Sequence, residues 1–467
     1  MPSTWKFVDQ PALVHSTLLD MNDGATWRTL GEDFDISPPP VTRSLVRNAL
    51  MDGGILTSAS YDLRELKFTL RLEGETEAAR VAQLKAFEKE VGKPANLLMY
   101  KSQLHDVPVF FRTLRSDSFE LDTQFVPGKV WQIKAAVAAE PYAIGVRRDL
   151  APVTVANDPA AATNPTRFDI PGAQILGDGP TPAFVRIAGL GAGAVILLAQ
   201  RTINNPTALT NVAQAESGSL DGNSSLWDGG GLYSGTGVNR AVARTFSSNN
   251  LMGRVVTVSA PTATSSEALR GRYRVIARCG VKAAQATSTF QIRWQQPGTD
   301  ANPGPAATVT IAAGAFQLVD LGVLEYPPAT TAPSSIGYSA LPPGFAASNL
   351  DIYAARVSGT ADLNIDYVYL LPADERLCSV YQAAAPGYLV LDGPNDATYG
   401  MAAGSTPFGL TRTIDNGGGL VPRIGGLPML VPGVLNRWYM LTGTGTITAS
   451  ATVEISYWPR WLDVATA

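Results

Sequence analysis

The chain has 467 residues, enough for two to four domains at roughly 150 residues each, and a net charge of −4 at pH 7. Because no lysine- or arginine-rich block accompanies this acidic balance, direct nucleic-acid binding is not expected. The sequence lacks both a signal-peptide pattern and an apolar run of the roughly 18 residues that span a bilayer, so we expect synthesis in the cytoplasm and no membrane insertion.

The first 150 residues hold eight of the nine lysines, and this change in composition predicts a domain boundary near residue 150. Residues 63–74 alternate apolar and polar side chains, which predicts a strand with one buried face. Thr76 is the expected N-cap of a helix that ends at Val91, just before Gly92. Further strands are predicted at 96–100, 107–114 and 130–137.

From residue 151 onward the patterns are almost all β. Residues 183–189 and 194–198 predict a hairpin, and residues 436–441 and 451–461 predict a second antiparallel hairpin around a turn rich in Thr and Gly. The glycine-rich turn of the first pair precedes a β-type run rather than a helix, so it is not expected to bind phosphate. Two cysteines are too few for a disulfide framework, and both are expected to be buried thiols: Cys279 and Cys378.

The N-terminal order of an alternating strand, one helix and strands that end in Glu140-Pro141-Tyr142-Ala143 resembles the belt domain of distal tail proteins of long-tailed phages. The closing segment, 428–461, resembles the end of the same proteins and of related minor tail proteins. In that family, strands like 183–198 begin a galectin-like β-sandwich, but the matching continuation, 387–393, lies almost two hundred residues later here. The resemblance therefore implies a belt domain at 1–150, a discontinuous sandwich at 151–210 and 377–467, and an inserted domain at 211–376.

The inserted segment has its own β pattern. Alternation at 270–278, 287–295 and 362–372, separated by turns rich in Gly, Pro and Ser, predicts a second sandwich. This segment resembles jelly-roll carbohydrate-binding modules, whose first strand carries a Glu and whose last strand carries an Asp. The resemblance implies Glu216 and Asp366 as ligands of a structural calcium ion, and the alternative is that both are ordinary surface or hydrogen-bonded carboxylates.

A sugar site is predicted in the glycine-rich stretch near residue 230. Sugar rings stack on aromatic side chains while polar side chains bind their hydroxyls, and this stretch offers Trp227, Tyr233, Asn239 and Arg240. For Trp227, packing in the core is an equally good interpretation. Trp294 lies inside an alternating strand and is expected in the core.

Catalysis finds little support in the sequence. The only histidines are His15 and His105, so no two-histidine metal motif is available. Glu216, Asp221 and Asp228 are close in sequence, but a Gly/Ser-rich loop does not fix the spacing that glycoside cleavage needs. We therefore predict no catalytic residue, no enzyme activity and no required cofactor.

The sequence thus predicts a mainly β chain with an α+β belt domain and two sandwiches. The family resemblance implies a homo-hexameric ring in the virion, at the tail tip. Its expected partners are the tail tube protein, the hub or tip protein and the tape measure, and its outer domains could bind host-surface glycans. The alternatives are a virion-associated polysaccharide hydrolase and a lectin-like adhesin.

Overall fold

The structure is a computed structural model. It describes residues 4–46, 55–102, 107–116, 119–126, 129–156, 166–190, 194–203, 212–215, 218–228, 240–259, 271–295, 304–326, 349–382, 387–401, 420–442 and 450–463. Strands dominate these residues, which contain a single α-helix, so the prediction of a mainly β chain is confirmed. Within the same ranges, no helix has the length and apolar composition needed to cross a membrane.

The N-terminal region forms one twisted sheet, sheet 1, with the helix packed on one face. Its elements are β1 Thr4–Val8, β2 Thr17–Asp20, β3 Trp27–Asp35, β4 Val41–Val46, β5 Ile55–Tyr61, β6 Arg64–Glu73, α1 Glu77–Val91, β7 Ala95–Lys101, β8 Val109–Leu114, β9 Phe119–Val126, β10 Val130–Ala139 and β11 Ala143–Ile144. Sheet 1 runs in the order β2-β1-β7-β8-β10-β6-β3, with β9 beside β10 and β11 beside β8. Strands β4 and β5 pair with each other as a hairpin between β3 and β6.

Local sequence explains the helix and the strand before it. The Thr76 side chain accepts a hydrogen bond from the backbone N–H of Ala79, as expected of an N-cap, and the chain leaves the helix at Gly92. Strand β6 buries the apolar half of its alternating pattern, and the helix lays Phe87 and Val91 on the same core.

The middle and C-terminal parts of the chain form two facing sheets. The elements before the inserted segment are β12 Arg148–Asp149, β13 Val153–Ala156, β14 Arg167–Ile170, a 3₁₀ turn Gly172–Gln174, β15 Thr181–Pro182, β16 Phe184–Ala188 and β17 Ala194–Ile203. Those after it are β29 Arg376–Gln382, β30 Tyr388–Asp392, β31 Ala397–Met401, β32 Arg423–Gly425, β33 Met429–Leu430, β34 Leu435–Thr442, β35 Ser450–Tyr457 and β36 Arg460–Trp461. Sheet 2 has the order β12-β35-β16-β30-β31, with β13 also on β35, and sheet 3 has the order β14-β34-β17-β29-β32.

Both predicted hairpins are wrong, although all four strands exist. Strand β16 pairs with β30 and β35 in sheet 2, whereas β17 pairs with β29 and β34 in sheet 3. In the same way, β34 lies in sheet 3 and β35 in sheet 2. The reason is that each strand carries an apolar face that must be buried, and a pair whose members lie in opposite sheets can cover each other across the core. That core includes Trp438 and Met440 from one sheet and Val453 and Ile455 from the other.

The inserted segment forms two more facing sheets. Its strands are β18 Val212–Gln214, β19 Ser219–Leu220, β20 Ser224–Asp228, β21 Arg240–Arg244, β22 Gly253–Ser259, β23 Gly271–Gly280, β24 Ser288–Gln295, β25 Ala307–Ile311, β26 Phe316–Tyr326, β27 Asn349–Ser358 and β28 Leu363–Pro372. Sheet 4 has the order β20-β21-β28-β23-β26, with β18 also on β28, and sheet 5 has the order β19-β22-β27-β24-β25. Between them lies a core that includes Trp294, as predicted, and Cys279, one of the two buried cysteines.

The five sheets pack in series from the belt to the insert. Sheet 1 meets sheet 2 through a cluster that includes Phe110 and Trp458, and sheets 2 and 3 enclose the sandwich core. Sheet 3 meets sheet 4 through Tyr439, Leu441, Tyr367 and other side chains. Sheet 5 therefore lies at the end of the series, with the other sheets between it and the belt sheet.

Candidate functional site

One edge of the belt sheet combines an open strand with exposed apolar side chains. Among the described residues, β2 pairs with β1 alone, so its outer backbone groups are available to another chain. The loop before β2 and the strand itself expose Leu13 at 65%, Val14 at 83% and Leu18 at 44%. We call these three side chains the β2 patch. Exposed apolar residues clustered at an open edge are typical of a protein interface rather than of free surface.

The other terminal strand of sheet 1 carries a second, different apolar patch. Strand β3 pairs only with β6 within the described part of the chain, and the β4–β5 hairpin extends from the same side. At the base of this hairpin Val41 lies opposite Tyr61, and both are exposed, as is Leu63. We call these three side chains the hairpin patch. The ring of Tyr61 meets Tyr142 edge-on, with centroids 5.9 Å apart, which fixes the hairpin base against the body of the protein.

The two patches were missed by sequence reasoning. Neither patch follows one helical or strand period, because its side chains come from the ends of short strands and from the residues beside them. The adjacent pair Leu13-Val14 in an otherwise polar loop is the clearest hint that the sequence offers. The two patches lie on or beside the two terminal strands of the pairing order, β2 and β3. These strands approach each other at one end, because the Thr29 hydroxyl on β3 donates a hydrogen bond to the backbone oxygen of Met21, directly after β2, at 3.2 Å. Two different patches on one chain suit head-to-tail contact between identical chains, the kind of contact that closes into rings.

Two of the four predicted sugar-binding residues lie within the described part of the structure. Trp227 lies on β20 opposite Ala241, and Arg240 lies on β21 opposite Asp228, at the β20 edge of sheet 4. Trp227 is thus in a strand, not in an irregular loop. Tyr233 and Asn239 lie outside the described residues, so their assignment to sugar binding stays a prediction.

Of the two predicted calcium ligands, Glu216 lies outside the described residues and Asp366 is fully buried on β28. The first strand of the insert, β18, pairs with this last strand. Arg278 Nη1 lies 2.6 Å from Asp366 Oδ2, so the buried carboxylate has a cationic partner from the protein itself. The described residues contain no cluster of three or more acidic, His or Cys side chains able to hold a metal. Calcium stays a prediction.

A neighbouring carboxylate considered for catalysis also has a partner. Asp221 Oδ2 accepts a hydrogen bond from Arg244 Nη1 at 2.5 Å, and that bond holds the pKa of Asp221 below its usual range. A carboxylate stabilised in its ionised form this way is a poor general acid. The contact ties the turn before β20 to β21.

Tyrosine side chains hold the insert on sheet 3. Tyr369 and Tyr367 of sheet 4 pack against Tyr439 of sheet 3, and all three are buried. Polar contacts cross the same boundary: Arg201 Nη1 donates to Tyr273 Oη at 2.5 Å, and the hydroxyls of Thr166 and Tyr369 lie 3.3 Å apart. The insert is therefore joined to the sandwich by a packed interface as well as by its two connecting segments.

This interface predicts a loss of stability in alkali. Burial raises the pKa of Tyr369 from 10.0 to about 12, so the folded protein keeps a proton that the unfolded chain releases above pH 10. The contribution of Tyr369 to the free energy of unfolding is constant below pH 10 and declines between pH 10 and 12, by on the order of 2 kcal/mol. Urea unfolding across this range is expected to show a smaller decline in Tyr369→Phe than in the wild type. Equal declines would show that Tyr369 does not titrate differently in the two states.

Because this interface covers apolar side chains of sheet 3, removing the insert is expected to make the protein aggregate. Deleting 212–372 uncovers the outer face of sheet 3, including Tyr439 and Leu441, which are at most 1% exposed in the whole protein. We expect the deletion variant to form larger species than a second deletion variant with Tyr439→Ser and Leu441→Thr, because exposed apolar faces drive aggregation. Size-exclusion chromatography compares them. Identical behaviour of the two deletion variants would contradict the packed interface.

Comparison with known proteins gives distant structural likenesses only. No family model matches the chain, and a search of curated proteins found no match. The Dit protein (gp 19.1) of phage SPP1, described as a paradigm of the hub adsorption apparatus of phages that infect Gram-positive bacteria, aligns over 98% of this chain and 99% of its own, with 8% identity and a TM-score of 0.35. The baseplate of phage P2 in its activated conformation with Ca aligns over 98% of each chain, with 10% identity and a TM-score of 0.29.

A third likeness is to the xylan-binding CBM22-1 domain of Xyn10C from Paenibacillus barcinonensis. It covers 39% of this chain and 99% of that domain, with 11% identity and a TM-score of 0.19. All three TM-scores lie below 0.5.

Proposed function

We propose that this chain is a structural, non-enzymatic subunit of the tail tip of a long-tailed phage, and that its belt domain closes into a ring. The observation that carries the proposal is the pair of different apolar patches at the two open edges of sheet 1. If the β2 patch of one copy meets the hairpin patch of the next, each copy uses both edges and leaves none exposed. The sequence resemblance of the belt region to distal tail proteins supports the same reading, and from that family we infer six copies.

Such a ring would join the tail tube protein to the hub or tip protein, and the tape measure would pass through its centre. The series of sheets suits this arrangement. With sheet 1 in the ring, sheets 2 to 5 extend away from it, and sheet 5 is the outermost. In such a ring the insert would lie farthest from the belt, and we propose that it contacts the host surface, with host glycans as its ligands.

Negative-stain microscopy of the purified full chain tests the proposal. We expect closed rings with six-fold symmetry and with peripheral density from the outer domains. Particles of single copies, both alone and after mixing with tail tube protein, would contradict it.

A further inference from the structure

The outer face of sheet 5 carries a row of polar and aromatic side chains across three strands. Tyr353 on β27 lies opposite Arg293 on β24 and opposite Arg254 on β22. Its sequence neighbours Ile352 and Ala354 belong to the core between sheets 4 and 5. Because side chains alternate along a strand and paired residues share a face, Tyr353 and both arginines lie on the outer side.

The next row on the same face is polar throughout, and two of its side chains are buried, Asp351 at 6% and Gln295 at 7% exposed. Asp351 lies opposite Thr257 and Gln295, and the Thr257 hydroxyl donates a hydrogen bond to the Asp351 carboxylate. On the other side of the tyrosine row, Gln291 lies opposite Thr308. Among the described residues of these rows, no Leu, Ile, Val or Phe faces outward. Such a face suits a polar ligand better than a protein partner, whose interface core would require large apolar side chains.

The charges of the face favour an anion. Arg293 lies over the Tyr353 ring, with its guanidinium carbon 5.7 Å from the centroid, and it forms no ion pair with a described carboxylate. Its Nε atom is buried and has no hydrogen-bond partner among the described residues. The described rows contain two arginines and one aspartate, so the face is locally positive on a chain whose net charge is −4.

We propose that this face, defined by Tyr353, Arg293, Arg254 and Gln291, binds an acidic polysaccharide. A sugar ring stacks on the exposed part of Tyr353, and the carboxylate or phosphate that the sugar carries is bound by Arg293, with Arg254 across the ring. The partly exposed Gln291 amide is placed to bind a sugar hydroxyl. The inference rests on the proposed function, in which sheet 5 is the outermost sheet of each ring subunit, and it names the site and the ligand class.

The test is electrophoresis of the full chain in native gels that contain alginate, a poly(glycerol phosphate) teichoic acid, or dextran. Alginate presents carboxylates, the teichoic acid presents phosphates, and dextran is neutral. We expect retardation by at least one acidic polymer and none by dextran. In Arg293→Gln and Tyr353→Ala the apparent Kd should rise by roughly tenfold or more, as expected for loss of a charge-assisted contact or a stacking platform.

Two matched controls separate this site from general charge and aromatic effects. Arg274→Gln removes the same charge from sheet 4, and Tyr381→Ala removes an exposed tyrosine from sheet 3. Both should bind like the wild type, and Arg293→Lys should keep part of the affinity. Each variant's thermal midpoint should match the wild type, and a variant that fails to fold is replaced by Gln291→Ala. The proposal is overturned if no polymer retards the protein, if dextran retards it equally, or if Arg274→Gln weakens binding as much as Arg293→Gln.

Mass measurement of the same samples distinguishes this inference from the ring. Rings that bind none of the polymers would overturn the binding site and leave the proposed function standing. Single copies that bind through Arg293 would overturn the ring and leave the binding site standing.

Discussion

Replacing Arg278 by methionine is expected to destabilise the protein by about 3–5 kcal/mol, because it leaves a buried carboxylate without its cationic partner. Asp366 is fully buried, and Arg278, 5% exposed, reaches it at 2.6 Å while its guanidinium carbon lies 4.7 Å from the Phe316 ring centroid. The strand register skips Asp366, since Arg278 lies opposite Tyr367 and Cys279 lies opposite Ile365. Asp366 is therefore the extra residue of a bulge in β28.

The exposed pair Arg274–Asp320 in the same sheet is the matched control. Arg274→Met should change the free energy of unfolding by less than about 1 kcal/mol, since exposed ion pairs contribute little. Replacing both members of the buried pair, Arg278→Met with Asp366→Leu, should restore much of the lost stability. Chemical denaturation measures the three variants beside the wild type. A loss below about 1 kcal/mol for Arg278→Met would show that another cation holds Asp366, and addition and removal of calcium would then identify it.

Charged substitutions at either belt edge are expected to abolish ring assembly. Leu18→Asp places a charge in the β2 patch, and Leu63→Asp places one in the hairpin patch. Burying either carboxylate between subunits without a partner costs several kcal/mol at every contact of a closed ring. Each variant alone should therefore remain a single copy in sedimentation analysis, with a thermal midpoint close to that of the wild-type subunit.

Mixing the two variants gives a sharper result. Leu18→Asp keeps an intact hairpin patch and Leu63→Asp keeps an intact β2 patch, so one copy of each should join into a dimer that cannot grow further. Leu251→Asp, which charges an exposed leucine of the insert, should assemble like the wild type. If the mixture stays monomeric, or if the Leu18→Asp variant forms rings alone, the two patches are not the two halves of one contact.

Much of the belt and many individual strands could be predicted from the sequence, because local signals determine them. The alternation at 63–74 and the cap at Thr76 are set by neighbouring residues, and both appear in the structure. Strand partners are set by distant residues instead. Strand β28 is buried at every position because sheets 3 and 5 cover its two faces, and no local pattern reveals that.

The candidate sites also depend on strand pairing between distant residues, which local sequence does not reveal. The sequence predicted a sugar site of aromatic and polar residues in the insert, but in the glycine-rich stretch around Trp227 rather than on sheet 5. Tyr353, Arg293 and Arg254 become neighbours only through the pairing of β22, β24 and β27. The side chains of the β2 patch come from one short segment, but only the order of the strands shows that they flank one terminal strand of sheet 1 while the hairpin patch flanks the other.

The mass of the full chain in solution tests the ring most directly. Native mass spectrometry at micromolar concentration should give one dominant species at six times the chain mass of 49.3 kDa. The Leu18→Asp and Leu63→Asp variants measured beside it should each give the single-chain mass. A wild-type protein found only at the single-chain mass, alone and with tail tube protein present, would contradict the account.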